Sequence, residues 1–259
     1  MRFIATALLV FLSSGCAVTI KMPANRYDSP ETMGKQWRAK VATGLGGANN
    51  VILTPDFTTM APNPQSPTFD TATEFQLRAG VAALENLDIE IKTLTALQIK
   101  YQFLGDGRLY AQPGNFSMAA TLAGGWNESQ QNGTQLFGSS QRYEVKLKEG
   151  TFDGALIFGY RVNELFLMYG GPFFTLDSYT GTDSPLDGNN VAISITNFSG
   201  SVFQTGANLG LEFGIPIVQG RVELAYANVN SGDLNTGRVY IGGQVAVNLG
   251  KTGERPKND

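Results

Sequence analysis

The sequence contains no histidine and only one cysteine in 259 residues. Without histidine, neither a Ser-His-Asp nor a Cys-His catalytic unit can be assembled, and histidine-ligated zinc sites are excluded. Without a second cysteine no disulfide forms within the chain, so packing and hydrogen bonding must stabilise the fold. Acidic pairs on one strand face, such as Asp88 and Glu90, could in principle act as general acid and base, but no nucleophile or oxyanion arrangement accompanies them. We therefore expect no enzyme activity, no catalytic residue, no metal and no cofactor.

Charged residues are also scarce. They make up 16% of the chain, against about 25% in ordinary soluble domains. The net charge is −3 and the pI is near 5.1, so a nucleic-acid partner is not expected. Glycine, in contrast, is abundant at 31 residues.

Residues 1–15 have the layout of a secretory signal peptide. Arg2 gives a positive start, and an apolar run follows from Phe3 to Leu12. That run is too short for a spanning helix, which needs about 20 residues. We expect this segment to be removed from the mature protein.

The single cysteine, Cys16, stands directly after this leader. Ser13-Ser14-Gly15-Cys16 resembles the lipobox of bacterial lipoproteins, with Ser13 where leucine is usual. The resemblance implies lipidation of Cys16, and Ala17 after it favours the outer membrane. An ordinary secretion signal followed by a stray thiol is the alternative.

Residues 16–35 show no periodicity and contain two prolines. They are typical of a flexible tether, and the nineteen residues from 17 to 35 would span at most roughly 60 Å. We therefore expect a lipidated cysteine and tether over 16–35, a folded part over 36–250 and a polar tail over 251–259.

From residue 36 the apolar residues recur at every second position, which is typical of strands with one apolar face. TEFQLRAGVAAL and NFSMAATLAGGW are two examples. About ten strands are predicted, with eight or twelve as alternatives, because 87–104 could form one strand or a hairpin closed near Leu94. An even number is needed if the lipidated start and the last strand both lie on the periplasmic side.

One long stretch, RYEVKLKEGTFDGALIFGYR, changes phase. Its apolar residues lie at odd positions up to Leu147 and at even positions from Phe152. This predicts a β-bulge near Glu149-Gly150.

The residues on each face favour a membrane barrel over a soluble sandwich. The face opposite the apolar one is rich in small and polar residues with charges of both signs, as in the lumen of a transmembrane barrel. Aromatic residues near strand ends suggest interfacial girdles, and they are Trp37, Phe103, Trp126, Tyr143, Tyr160, Tyr169 and Tyr226. Short links at 85–86, 105–107, 161–163 and 215–219 alternate with long polar ones at 47–70, 127–139 and 177–199.

FQLRAGVAALENLDIEIK, ALQIKYQFLGDG and GYRVNELFLMYGGPFF are similar in style to the outer-membrane β-barrel lipoproteins of Gram-negative bacteria. This resemblance covers most of residues 36–249. It implies a closed antiparallel transmembrane β-barrel with a polar lumen, an apolar exterior, and an outer-membrane location with a lipid anchor on the periplasmic side.

The charged residues on the polar face are the candidate functional set. We expect these residues to face the lumen. There they either form a polar conduit or pair with one another and seal the lumen. Sealing is favoured because ten strands leave only a narrow passage and unpaired buried charges are costly. They are Glu74, Arg78, Asp88, Glu90, Lys92, Lys100, Glu144, Lys146, Asp153, Arg161, Glu212, Arg221 and Glu223.

These features predict a non-enzymatic outer-membrane barrel lipoprotein with a structural or porin-like role. Membrane lipid is the expected partner, and small residues on the lipid face, such as Ala79 and Gly124, would permit homo-oligomers. The alternative is a lipid-tethered, lipocalin-like soluble barrel whose apolar face lines a ligand pocket. A histidine-free enzyme acting on lipid is a third hypothesis that no residue pattern supports.

Overall fold

The computed structural model describes residues 18–53, 62–93, 95–134 and 142–250. The signal peptide, Cys16, Leu94 and the tail at 251–259 lie outside these ranges. No helix in the described part of the chain is long and apolar enough to cross a membrane.

Eleven strands make up the described fold, and all neighbouring strands pair antiparallel. They are β1 Val18–Pro23, β2 Ala39–Leu53, β3 Thr68–Leu84, β4 Leu87–Lys92, β5 Ala96–Leu104, β6 Phe116–Thr134, β7 Arg142–Arg161, β8 Phe166–Leu186, β9 Thr196–Gly214, β10 Val218–Ser231 and β11 Leu234–Leu249.

Ten of these strands, β2 to β11, close into a barrel. Each pairs with the next along the chain, and β11 returns to β2 in a register that runs from Ala39↔Leu249 to Leu45↔Gly243. The predicted closed barrel of about ten strands is confirmed. Residues 87–104 form the hairpin alternative, as β4 and β5.

The two ends of the barrel differ. At one end, which we call the turn end, the links at 85–86, 162–165 and 215–217 are short and β11 finishes. The other, the loop end, carries the links 54–67 and 187–195. The predicted long loops were too long, because strands β6, β8 and β9 extend well into them. The predicted short link at 105–107 was also wrong, since the connection runs to residue 115 and folds under the lumen.

The apolar rows face outward. Phe75, Leu122 and Leu209 are 59%, 55% and 60% exposed, while the residues alternating with them turn inward. A band of exposed apolar side chains around a closed barrel is the surface that meets hydrocarbon in a membrane. The lipocalin-like alternative required these rows to line an internal pocket, and it is wrong.

Strand β7 contains no bulge near Glu149-Gly150. Its pairing with β6 runs without interruption from Phe116↔Tyr160 to Thr134↔Arg142. Odd-numbered residues face inward along its described length, so the phase of the strand never changes. What changes is the environment of each face, because the inward residues are apolar at the loop end and polar lower down.

At the loop end the inward residues form a closed apolar core. It contains residues of β1, β2, β7, β8, β9 and β10, namely Val18, Ile20, Met22, Val51, Leu53, Val145, Leu147, Tyr179, Phe198, Val202 and Val229. Strand β1 adds to the upper half of β2 and turns its apolar face into this loop-end core. The barrel mouth is therefore filled by the protein's own side chains.

The flexible tether expected over 16–35 is absent from the described chain. Residues 18–23 are strand β1, and every residue from 24 to 34 is buried inside the barrel. Val18 lies at the loop end opposite Leu53, whereas Leu249 lies at the turn end opposite Ala39. The described chain therefore begins at the loop end, while the last strand finishes at the turn end; the lipidated start expected at Cys16 lies outside the described residues.

Candidate functional site

The lumen is occupied by residues 24–34, which we call the luminal segment. It descends from Pro23, at the lower end of β1, towards Ala39 at the turn end. Tyr27 fixes its upper part, with a φ of 53° and a hydroxyl that donates to the Leu45 carbonyl at 2.6 Å. A Cβ on Gly242 would lie 1.9 Å from that hydroxyl, so the barrel wall has glycine where the tyrosine meets it.

The lower part of the luminal segment is fixed by close contact with the connection between β5 and β6. Gly34 has a φ of 78°, in the left-handed region that favours glycine. A Cβ on Gly107 would lie 2.5 Å from the Gly34 Cα. The Arg108 amide also donates to the Thr32 carbonyl at 2.8 Å. The connection beneath the lumen thus binds the luminal segment backbone to backbone.

Arg26 anchors the segment to β7 and β8. Its guanidinium donates to the Asp153 carboxylate and to the Thr175 hydroxyl. The same group lies 4.5 Å from the centroid of the Phe173 ring, within the range of a cation–π contact. Asp153 and Thr175 are themselves buried, so this charge is paired away from water.

Asp28 lies at the centre of the lumen, on the luminal segment and not on a membrane-spanning strand. Arg78 donates to it at 2.6 Å, Gln98 at 3.1 Å and Lys92 at 3.4 Å. Burial acts to raise the pKa of the Asp28 carboxyl, but the adjacent Arg78 and Lys92 charges outweigh it and hold the pKa well below its usual range. Asp28 is therefore a buried anion that ties the segment to β3, β4 and β5.

Glu223 on β10 holds the segment through four donors. The backbone amides of Arg26 and Tyr27 donate to it at 2.6 and 2.8 Å. Asn208 and the Tyr169 hydroxyl donate at 3.0 and 3.2 Å. Two backbone amides with no strand partner are thereby satisfied.

Glu31 anchors the segment near the turn end. Both of its oxygens accept from Arg161, with 3.0 Å between Nε and Oε1. Asn115 donates to the same carboxylate at 3.1 Å. The two charged side chains are 0% and 3% exposed. This is the paired, fork-like geometry that makes arginine–carboxylate contacts strong.

Further buried ion pairs surround the segment. Arg221 pairs with Glu212 at 2.7 Å, and Arg108 from the connection below pairs with the same carboxylate. Lys100 pairs with Asp88 at 3.1 Å. Lys40 of β2 pairs with Glu90 of β4.

Most of the predicted charged residues face the lumen. Arg78, Asp88, Glu90, Lys100, Asp153, Arg161, Glu212, Arg221 and Glu223 are buried there, and Glu74 and Lys92 are partly buried beside the luminal segment.

Glu144 and Lys146 were wrongly placed in the lumen. They pair with each other at 2.7 Å on the outer face of β7, where the Lys146 side chain is 61% exposed. The predicted bulge caused this error, because it reversed the inward face of β7 at the loop end. Two of the seven predicted girdle aromatics also differ, since Tyr169 faces the lumen and Tyr143 packs against the loop-end core.

Sequence reasoning missed the charges of the luminal segment itself. Arg26, Asp28 and Glu31 were assigned to a tether, and Arg108 was assigned no role. One signal in the sequence could have found them. Arg26 and Asp28 carry opposite charges and flank Tyr27 in a short stretch whose polar residues do not alternate with apolar ones. Side chains of this kind complement the charged face of the strands.

A cavity of about 410 Å³, lined mostly by polar residues, remains between the luminal segment and the barrel wall. It lies towards the loop end, and its lining includes Lys21, Arg26, Trp126 and Asp177. Among the described residues, no group of acidic or cysteine side chains is arranged to hold a metal ion. The lumen as a whole is a set of paired charges around a buried chain.

No family model matches the sequence, and no curated protein is similar to it. Several solved structures are similar in fold. The attachment invasion locus protein Ail of Yersinia pestis shares 12% identity at a TM-score of 0.34, covering 82% of this chain and 99% of that one. Neisserial surface protein A shares 11% identity at a TM-score of 0.32, covering 81% and 96%. The outer membrane protease OmpT from Escherichia coli shares 10% identity at a TM-score of 0.41, covering 83% and 95%.

The geometry of this chain itself establishes the fold. Ten antiparallel strands close on themselves, the apolar side chains face outward, and the polar side chains face inward. The chain is a closed transmembrane β-barrel.

Proposed function

We propose that this protein is a non-enzymatic outer-membrane β-barrel lipoprotein with a structural role, and that its barrel does not conduct. The observation that carries the proposal is the luminal segment. Every residue from 24 to 34 is buried, and Arg26, Asp28 and Glu31 pair with three different parts of the wall. A porin-like role would require this segment to leave the lumen.

The cost of opening supports the same proposal. Removing one partner from a buried ion pair costs about 3–5 kcal/mol, and withdrawing the segment would break at least three such pairs. The loop-end core would also lose strand β1, whose Ile20 and Met22 are fully buried. An open lumen is therefore strongly disfavoured at equilibrium.

Conductance tests the proposal directly. The purified full-length protein, inserted into planar lipid bilayers, should give no stepwise conductance, while a known porin in the same bilayers provides the positive control. Heat-modifiable migration on a gel confirms that the sample is folded. Reproducible channel steps from folded protein would contradict the structural role and favour the porin-like one.

The lipid anchor is part of the proposal and rests on Cys16. Radiolabelled palmitate should enter the wild-type chain in Gram-negative cells and be lost in Cys16→Ser. Because the barrel itself spans the bilayer, the Cys16→Ser protein should stay in the membrane fraction after alkaline carbonate extraction. Release of that variant into the soluble fraction would show that the anchor alone held the protein.

The proposal that the protein is not an enzyme is supported by how three of the lumen carboxylates are used. Asp28, Glu31 and Glu212 are each committed to a cation, and the chain has no histidine. Lipid is the proposed partner of the exposed belt. Self-association through small lipid-facing residues such as Ala79 stays a prediction, and size analysis in detergent tests it.

A further inference from the structure

The direction of the luminal segment determines where the chain enters the barrel. Strand β1 runs downward, with Val18 opposite Leu53 and Pro23 opposite Ala48. The segment then descends through the lumen, and β2 begins at the turn end, where Ala39 pairs with Leu249. The chain therefore passes through the whole lumen before the first barrel strand begins.

The loop end is the end that faces outward. In transmembrane barrels short turns lie on the periplasmic side and longer loops outside. Here three of the four links at the turn end, 85–86, 162–165 and 215–217, are short, and the fourth, 105–115, folds under the lumen. The longest link, 54–67, lies at the opposite end, beside the short links 93–95 and 232–233. At that end β1 and β2 also extend beyond the exposed apolar band of the barrel. Leu45 is the last strongly exposed apolar residue of β2, and the pair Val18 and Leu53 lies further along.

We infer that the chain enters its own barrel from the outer face, so that the residues before Val18 are presented at the cell surface. Cys16 is two residues from Val18, a distance of at most about 7 Å. If Cys16 carries the lipid assigned under the proposed function, on which this part rests, the partner of that lipid is the outer leaflet. The anchor would then lie on the opposite side from the periplasmic one expected from the sequence.

The filled lumen also sets the order of assembly. Acyl chains cannot follow the segment through a passage closed by the Asp28 and Glu31 ion pairs. The barrel must therefore close around the luminal segment, with the start of the chain already at the outer side. The β2–β11 pairing joins the first and last barrel strands, so it is the seam at which this closure occurs.

Thiol labelling on intact cells tests the inference. Ala17→Cys is expressed in the otherwise native chain and treated with a membrane-impermeant maleimide. Asn189→Cys in the 187–195 loop marks the outer side, and Val162→Cys in the 162–165 link marks the periplasm. We expect Ala17→Cys to label in intact cells as Asn189→Cys does. Labelling only after permeabilisation, as for Val162→Cys, would overturn the inference.

A protease site inserted between Ala17 and Val18 gives a second readout that does not depend on thiol reactivity. Cleavage by protease added to intact cells supports the inference, and cleavage only in permeabilised cells overturns it. Palmitate incorporation is measured in the same strains. If palmitate is absent while the labelling is external, the lipid assignment fails and the entry of the chain from the outer face stands.

Discussion

The contact between Glu31 and Arg161 offers the sharpest measurement of how firmly the luminal segment is held. Glu31→Gln keeps the size of the side chain but removes its charge, which leaves the Arg161 guanidinium buried with no carboxylate. Removing one partner of a buried pair costs about 3–5 kcal/mol. Both side chains are nearly inaccessible, at 0% and 3% exposed, so solvent cannot replace the lost charge. We expect the free energy of unfolding to fall by about 3–5 kcal/mol.

The assay is urea unfolding of the protein refolded into lipid vesicles, followed by tryptophan fluorescence. Glu144→Gln is the matched control, because it makes the same chemical change in an ion pair whose lysine is 61% exposed. Exposed pairs contribute about 0–1 kcal/mol. Glu31→Gln should therefore destabilise the barrel several times more than Glu144→Gln does.

A double-mutant cycle separates the contact from other effects of the substitution. Arg161→Gln alone should cost a similar amount, and the double variant should cost clearly less than the sum of the two single variants. If Glu31→Gln and Glu144→Gln destabilise equally, or if the two costs add, the carboxylate does not anchor the segment and the reasoning on the closed lumen fails.

Three further predictions use the same unfolding assay, each with its own comparison. Gly242→Val should destabilise the barrel by about 1–3 kcal/mol, because its side chain would occupy the position of the Tyr27 hydroxyl. The control Gly188→Val should be neutral, because no atom lies within 4 Å of the Cβ position at Gly188. Equal effects of the two substitutions would contradict the placement of the luminal segment. Leu122→Arg should cost about 2–4 kcal/mol, because the charged side chain would meet hydrocarbon. Val191→Arg in the 187–195 loop should cost little, although Val191 is 61% exposed and Leu122 is 55% exposed. A neutral Leu122→Arg would show that the outer face of β6 lies in water. Ile20→Ala should cost about 2–5 kcal/mol by leaving a cavity in the loop-end core, and no change would show that β1 is not packed there.

The sequence predicted the barrel well because its membrane-spanning part follows one simple rule. Where a strand has lipid on one side and the lumen on the other, apolar and polar residues alternate with period two. FQLRAGVAAL and NFSMAATLAGGW show this alternation, and their large apolar residues, such as Phe75 and Leu122, are on the outside of β3 and β6. The strand number and the inward face of most charged residues followed from that rule.

The same rule failed at the loop end, where the strands leave the lipid. There the inward face packs against other side chains and the outward face meets water, so the pattern inverts while the strand continues. In β7 the inversion occurs between Leu147 and Phe152, and it was interpreted as a bulge. Alternation alone reports which residues share a face. It does not report whether that face meets lipid, water or protein.

The luminal segment escaped prediction because it has no repeat of its own. Its contacts are with residues far along the chain, such as Asp28 with Arg78 and Glu31 with Arg161. A stretch without periodicity is indistinguishable from a tether until the surface it meets is known. The charges of the strands were predicted to pair with one another, yet several pair with this segment instead.

The number of strands explains why the barrel needs a segment inside it. About eight strands enclose a space that side chains alone can fill, and each added strand widens it. Ten strands with many small inward residues, including Ala42, Ala119 and Ala123, leave room for a further chain. The luminal segment occupies that room and supplies the opposite charges that the wall requires. Because the same segment continues into β1 and the loop-end core, the lumen and the mouth are closed by one stretch of chain, and neither can open without the other.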